Sequence, residues 1–308
     1  MRNACLDHVH QLAKKDRRVV FIGSDLGVGT LEAFRREFPE RFFMEGISEA
    51  NIVGMAAGLA MEGRIVYVNT IAPFFTRRAL DQIVIDLCLH DLPVRLIANG
   101  GGLVYAPLGP THETTEDIAV MRAIPNMTIV APADAAEMAR FMPQTLDWPH
   151  PIYIRLAKGF DPVVSNDQTP FAIGRGIAMA KGRDALAVTT GITLKLALKA
   201  RETLASSGID LGVLHLPTVK PLDTALLLAM ATPVRAIVAV EEHSVIGGLG
   251  SVLAETLAEW EDFAGKRFKR LGLPDAFPDQ YGSQASLMAR YGLTAENLAA
   301  TVAGLCRP

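Results

Sequence analysis

Cysteine is scarce in this chain. Three residues, Cys5, Cys88 and Cys306, are spread over 308 positions. Their spacing suits neither a disulfide framework nor a zinc site and fits a reducing, cytoplasmic setting. No apolar run reaches the roughly 18 uncharged residues of a membrane helix. The N-terminal segment MRNACLDHVHQLAKKDRR is charged and lacks the apolar core of a signal peptide. A net charge of -3 leaves no electrostatic footprint for nucleic acid. Short repeats and low-complexity segments are absent. What remains is a chain 50% hydrophobic and 20% charged, able to build a large core and ill suited to disorder. Its length suggests two domains.

Apolar runs and helical periodicities alternate along the chain. Arg18–Gly23, Arg64–Asn69, Pro93–Ala98, Thr128–Ala131 and Ile152–Leu156 read as buried strands. Thr30–Phe38, Arg77–His90 and Thr114–Arg122 read as helices, the last with Thr114 as N-cap and Asp117 three residues on. Periodicity stops in KGFDPVVSNDQTPF, residues 158–171, which reads as a linker. A second unit follows: strand Leu186–Thr190, helix Thr193–Ser206, strand Leu211–His215, a helix from Asp223, strand Arg235–Val240 and a helix from Gly250. This rhythm predicts an α/β protein with two doubly wound, parallel sheets, residues 1–162 and 163–308.

The most informative stretch is RFFMEGISEANIVGMAAGLA, residues 41–60. Glu49 opens an almost uncharged run rich in Gly and Ala. If that run is a buried helix, Glu49 lies at the edge of a core, where desolvation favours the neutral form of a carboxylate. Such a group can share or deliver a proton. The alternative reading is a helix-capping glutamate, since acids are common at helix N-termini.

With its flanking blocks, this stretch resembles the thiamine-diphosphate-dependent transketolase superfamily. The blocks are Gly23-Ser24-Asp25-Leu26, Arg78-Ala79-Leu80-Asp81-Gln82, Gly109-Pro110-Thr111-His112, Met121–Met127, Pro132-Ala133-Asp134, Val219-Lys220-Pro221-Leu222-Asp223 and Val240-Glu241-Glu242-His243. They keep the family's order over nearly the whole chain. The likeness is to the pyrimidine-binding and C-terminal domains of transketolase, and to the corresponding part of deoxyxylulose-phosphate synthase.

The resemblance implies thiamine diphosphate as cofactor, with Glu49 as the carboxylate at the pyrimidine N1′. It implies Asp25, Leu26, Phe75 and Arg78 as further cofactor-binding residues and His112 as a catalytic residue at the donor end. Each has a plainer reading: Asp25 as a cap of the next helix, Phe74 and Phe75 as core, His112 as structural. A neighbouring family aromatic falls at Ala72, so the pyrimidine slot is altered. The family's metal signature, Gly-Asp-Gly followed by asparagine, is missing from this sequence. The expectation is therefore half an enzyme. A separate N-terminal transketolase-like subunit would hold Mg²⁺ and the diphosphate, and the two would assemble as an α2β2 heterotetramer.

The substrate residues depart from the family more than the cofactor residues do. Arg2 stands at an arginine position, but Leu108 replaces an aspartate, Gly29 a serine, Gly100 a histidine and Lys158 an arginine. Leucine cannot accept a hydrogen bond from a sugar hydroxyl, and lysine meets a phosphate without arginine's fork. Arg2, Leu108, His112 and Lys158 are thus the candidate substrate-binding residues. The expected substrates are sugars, aldehydes or 2-oxo acids that differ from the usual sugar phosphates. The leading expectation is transfer of a two-carbon ketol or acyl unit to an aldehyde. A decarboxylating acyloin-forming synthase, a 2-oxo acid dehydrogenase β subunit and a non-catalytic partner are the alternatives. Gly247-Gly248-Leu249-Gly250 and Glu241-Glu242-His243 read as packing elements rather than phosphate or metal sites.

Overall fold

A computed structural model of the chain describes residues 1–24, 31–157, 159, 161–165 and 170–307. Strands β1 (Val19–Gly23), β2 (Phe42–Met44), β3 (Ile65–Ile71), β4 (Val94–Asn99), β5 (Thr128–Val130) and β6 (Ile152–Leu156) come from the first half. The second half supplies β7 (Ile177–Ala180), β8 (Ala185–Thr189), β9 (Leu211–His215), β10 (Thr218–Lys220), β11 (Ala236–Ser244) and β12 (Arg267–Leu273). One sheet runs β10-β5-β6-β4-β3-β1-β2 and the other β12-β11-β8-β9-β7. All pairings are parallel except those of two edge strands, β10 on β5 and β7 on β9.

Alternation explains why these runs are strands with both faces covered. Along β1, Val19 and Phe21 enter one core layer while Val20 and Ile22 enter the other. Along β8, Ala185 and Ala187 face one layer, Leu186 and Val188 the opposite one. Helix α1 (Arg2–Lys15), read from sequence only as a charged segment, closes the first layer with buried Cys5, Leu6, Val9 and Leu12. Strand β10 belongs by sequence to the second unit, yet it completes the edge of the first sheet, with Thr218 opposite Val130.

Two expected helices differ. The stretch read as one helix over Arg77–His90 is a chain of short turns, Phe74–Arg78, Leu80–Gln82 and Ile83–Cys88. Two of them are widened by i→i+5 bonds, Ala79 N–H to Phe74 O and Leu89 N–H to Val84 O. Such π-type turns leave no mark in the side-chain periodicity. The helix expected from Thr114 begins at Asp117. Thr114 cannot cap it, because its backbone exchanges two hydrogen bonds with Gly102. Among the described residues, no helix is long and apolar enough to cross a membrane.

Candidate active site

In the first sheet the strand order reverses at β1, with β2 on one side and β3 on the other. The carboxyl ends of β1 and β3 therefore flank a topological switch point, the place where parallel sheets take ligands. Helix α2 (Glu32–Glu37) lies between β1 and β2, and helix α3 (Glu49–Met61) runs back towards β3. Its Ile52, Val53, Ala56 and Ala57 are buried, and its small residues let it lie close on the sheet. This seats Glu49 at the switch point with 1% of its surface exposed. Ser24 Oγ, just past β1, donates to Thr70 Oγ1 at 2.7 Å, and Thr70 Oγ1 donates to Glu49 Oε1 at 3.2 Å. Glu49 is not a lone buried acid: Arg78 Nη1 lies 2.7 Å from Oε2. The widened turn at Phe74–Arg78 delivers that guanidinium.

Phe75, expected at the cofactor ring, lies one residue into the turn Phe74–Arg78. Its side chain is fully buried in the core layer that holds Ile52, Val53 and Ala79. The half-buried ring at the site is Phe74, with the Arg78 guanidinium 4.3 Å from its centroid and the His112 ring 5.6 Å away, edge-on. His112 Nδ1 is 2.9 Å from Thr111 Oγ1. Arg77 clamps the same loop, bonding Glu116 at 2.7 Å and the carbonyls of Pro110 and Glu113 at 3.1 and 3.0 Å. Glu49, Phe74, Arg78 and His112 are thus one contiguous group.

Leu108 is 50% exposed on the short turn before Gly109. Arg2 is half-buried at the start of α1, whose Met1 Sδ accepts the Ala157 N–H at the end of β6. Asp25, Leu26, Gly29 and Lys158 lie outside the described residues.

Four features were not singled out from sequence. Ser24 and Thr70 are ordinary strand-end hydroxyls until the fold lines them up on Glu49. Asn99 donates to Asn69 Oδ1 at 3.0 Å, and its own Oδ1 is buried without a partner among the described residues. Tyr105 packs its ring on Gly100. Glu113 is 1% exposed, and neither carboxylate oxygen has a partner among the described residues. Burial pushes Glu113 up to about 7, with Arg77 pulling it down and Glu242 pushing it further up.

The discounted motifs explain each other. The Glu241 carboxylate accepts the N–H groups of Leu249 and Gly250 at 2.6 and 2.8 Å. It fills the helix N-terminus that a phosphate would need, and Gly248 leaves room for it. Among the described residues no group of three His, Cys, Asp or Glu is arranged to hold a metal.

The chain thus joins two mainly parallel α/β sheets and buries an acid at the switch point of the first. Residues 1–160 match the transketolase pyrimidine-binding domain and residues 174–298 the transketolase C-terminal domain, so the chain belongs to the transketolase family. It is 34% identical over 299 residues to a 6-deoxy-6-sulfo-D-fructose transketolase subunit of Clostridium sp. (strain MSTE9), covering 97% of this chain and 92% of that one. It is 39% identical over 297 residues to 1-deoxy-D-xylulose-5-phosphate synthase 1 of Geobacter sulfurreducens. That match takes in 96% of this chain but 46% of the synthase, about half its length. A solved split-gene transketolase, an inactive β4 tetramer, superposes with a TM-score of 0.91 at 35% identity, over 99% of this chain and 97% of the other.

Proposed function

We propose that this chain is the C-terminal subunit of a split, thiamine-diphosphate-dependent transketolase-type enzyme, moving a two-carbon ketol unit to an aldehyde. The observation that carries the proposal is the buried Glu49 at the β1/β3 switch point, in a chain of this family. The residues fit the pyrimidine half of the cofactor. Glu49 Oε2 is held by Arg78, while Oε1 accepts, among the described residues, only the long Thr70 bond and keeps acceptor capacity. The orphaned Asn99 Oδ1 offers a second acceptor near the strand ends, and Phe74 offers a flat face.

When bound, thiamine diphosphate supplies the carbon nucleophile that accepts and passes on the two-carbon unit. Glu49 holds and returns the proton at the pyrimidine N1′, and Arg78 fixes the orientation of its carboxylate. His112, braced by Phe74 and Thr111, faces the substrate as a donor or acceptor of hydrogen bonds. Asp25, Leu26 and Lys158 keep their proposed places near the cofactor and substrate. Mg²⁺ and the diphosphate belong to a separate N-terminal subunit carrying Gly-Asp-Gly, in an α2β2 assembly in the cytoplasm. The sulfofructose transketolase relative, itself a subunit, and the inactive β4 assembly support this division. The synthase relative favours a second reading, in which the donor is a 2-oxo acid that loses CO₂.

The test is co-expression with the N-terminal subunit, loading with thiamine diphosphate and Mg²⁺, and a screen of ketose and 2-oxo acid donors. Turnover by the pair and none by this chain alone is expected. Micromolar or tighter binding of thiamine diphosphate to the isolated chain, by calorimetry, overturns the division of labour.

A further inference from the structure

Resting on the function just proposed, we infer that Tyr105 sets the length of the acceptor end of the site, which takes a short aldehyde without a terminal phosphate. Three glycines, Gly100 to Gly102, follow β4 directly, and each has a large side chain pressed on it. A Cβ on Gly101 would stand 2.5 Å from Arg155, and one on Gly102 2.7 Å from Glu242. Those two side chains belong to the network between the sheets, where Arg155 bonds Asp117 at 2.8 Å and the Glu242 carbonyl at 2.9 Å. Tyr105 on Gly100 is different. It is half-buried and belongs to the loop that continues to Leu108 and His112.

Gly100 has φ +75°, and a Cβ there would stand 2.2 and 2.4 Å from two atoms of the Tyr105 ring. The ring therefore stands where any side chain at the end of β4 would have projected. Both partners are pinned. The Gly100 and Gly101 N–H groups bond Leu156 O at 3.1 and 3.0 Å, and Tyr105 O accepts the Leu108 N–H at 2.7 Å. The ring thus takes volume from the carboxyl end of the sheet, beside the Asn69–Asn99 pair. The cations around this end are largely engaged, Arg78 by Glu49 and Arg77 by Glu116 and two carbonyls. A filled end whose described arginines, Arg77 and Arg78, are engaged suits a short acceptor better than a long phosphorylated one.

The experiment uses the complex with the N-terminal subunit, loaded with cofactor and Mg²⁺, and hydroxypyruvate as donor. kcat/KM is compared for glycolaldehyde and ribose 5-phosphate in wild type, Tyr105→Gly and Tyr105→Phe. Wild type is expected to prefer glycolaldehyde. Tyr105→Gly is expected to shift the ratio about tenfold towards ribose 5-phosphate, the scale of a pocket's size discrimination, and to do so through KM. Tyr105→Phe, which keeps the ring, is expected to preserve the preference. Turnover with the same ratio in wild type and Tyr105→Gly overturns the role of Tyr105 and leaves the transferase reading standing. No turnover of either aldehyde with any donor overturns both.

Discussion

Arg78 Nη1 lies 2.7 Å from Glu49 Oε2, joining a guanidinium that is 46% exposed to a carboxylate that is 1% exposed. The pair is asymmetric: the acid is locked in the core and the cation reaches it from the rim. Stability and catalysis should therefore separate between the two residues.

Glu49→Gln keeps the volume and the bond to Thr70 but cannot hold or return a proton. The expected loss in the assembled enzyme is roughly 10²–10⁴ in kcat, with the fold intact by circular dichroism. Activity within a few-fold of wild type would show that Glu49 only anchors its helix. Arg78→Gln leaves the buried carboxylate without its cation. Removing a partner from a fully buried pair costs about 3–5 kcal/mol, and the exposure of Arg78 reduces this to roughly 1–3 kcal/mol in urea unfolding of the chain.

Glu113 makes stability depend on pH. Its folded value of about 7 stands above the ordinary 4.5. Between those values the folded chain holds a proton that the unfolded chain releases, so the contribution is full below 4.5 and is lost as pH rises through 7. The loss is about 1–3 kcal/mol. Glu113→Gln should remove it, making the variant's gain over wild type larger at pH 8 than at pH 5. Melting curves of the two proteins that shift in parallel with pH would refute this.

Gly100→Ala meets two obstacles, a left-handed backbone and the Tyr105 ring. Strain and overpacking together should cost roughly 2–4 kcal/mol. In a Tyr105→Gly background only the backbone part remains, about 1 kcal/mol. A double-mutant cycle in urea measures the difference as coupling between the two positions; additive effects would mean the ring is not what excludes a side chain.

Glu241→Ala strips the cap from the helix Leu249–Ala258 and leaves two buried N–H groups unpaired. The expected cost is about 2–3 kcal/mol. Inorganic phosphate should leave the wild-type melting temperature unmoved, since its only seat there is taken. A phosphate-dependent rise would reopen the glycine run as a ligand site.

Much of the fold is legible because its strands are plain apolar runs. β6 and β9 have the bounds read from sequence, and β1, β4 and β8 shift by one residue. Burial on both faces makes such runs conspicuous. Glu49 was legible as an acid before an uncharged helix, but its partner's approach was not. Arg78 reaches it through a widened turn whose i→i+5 bond answers to the packing of Phe75 and Ala79, not to any local period. Thr114 reads as a cap until its neighbour across space, Gly102, claims its backbone. Tyr105 and Glu113 sit in loop text without pattern; only a folded loop shows that one fills a glycine's space and that the other finds no hydrogen-bond partner among the described residues.

The edge strand β10 has a consequence for synthesis and for cutting the chain. A ribosome that has delivered residues 1–162 has released a sheet whose β5 edge is still bare. Residues 218–220, which cover that edge, are yet to be made. Until they arrive, an unpaired strand faces the cell, an invitation to pair with another chain. A fragment ending at the linker carries that open seam permanently, whereas one extended through Lys220 brings its own closing stitch.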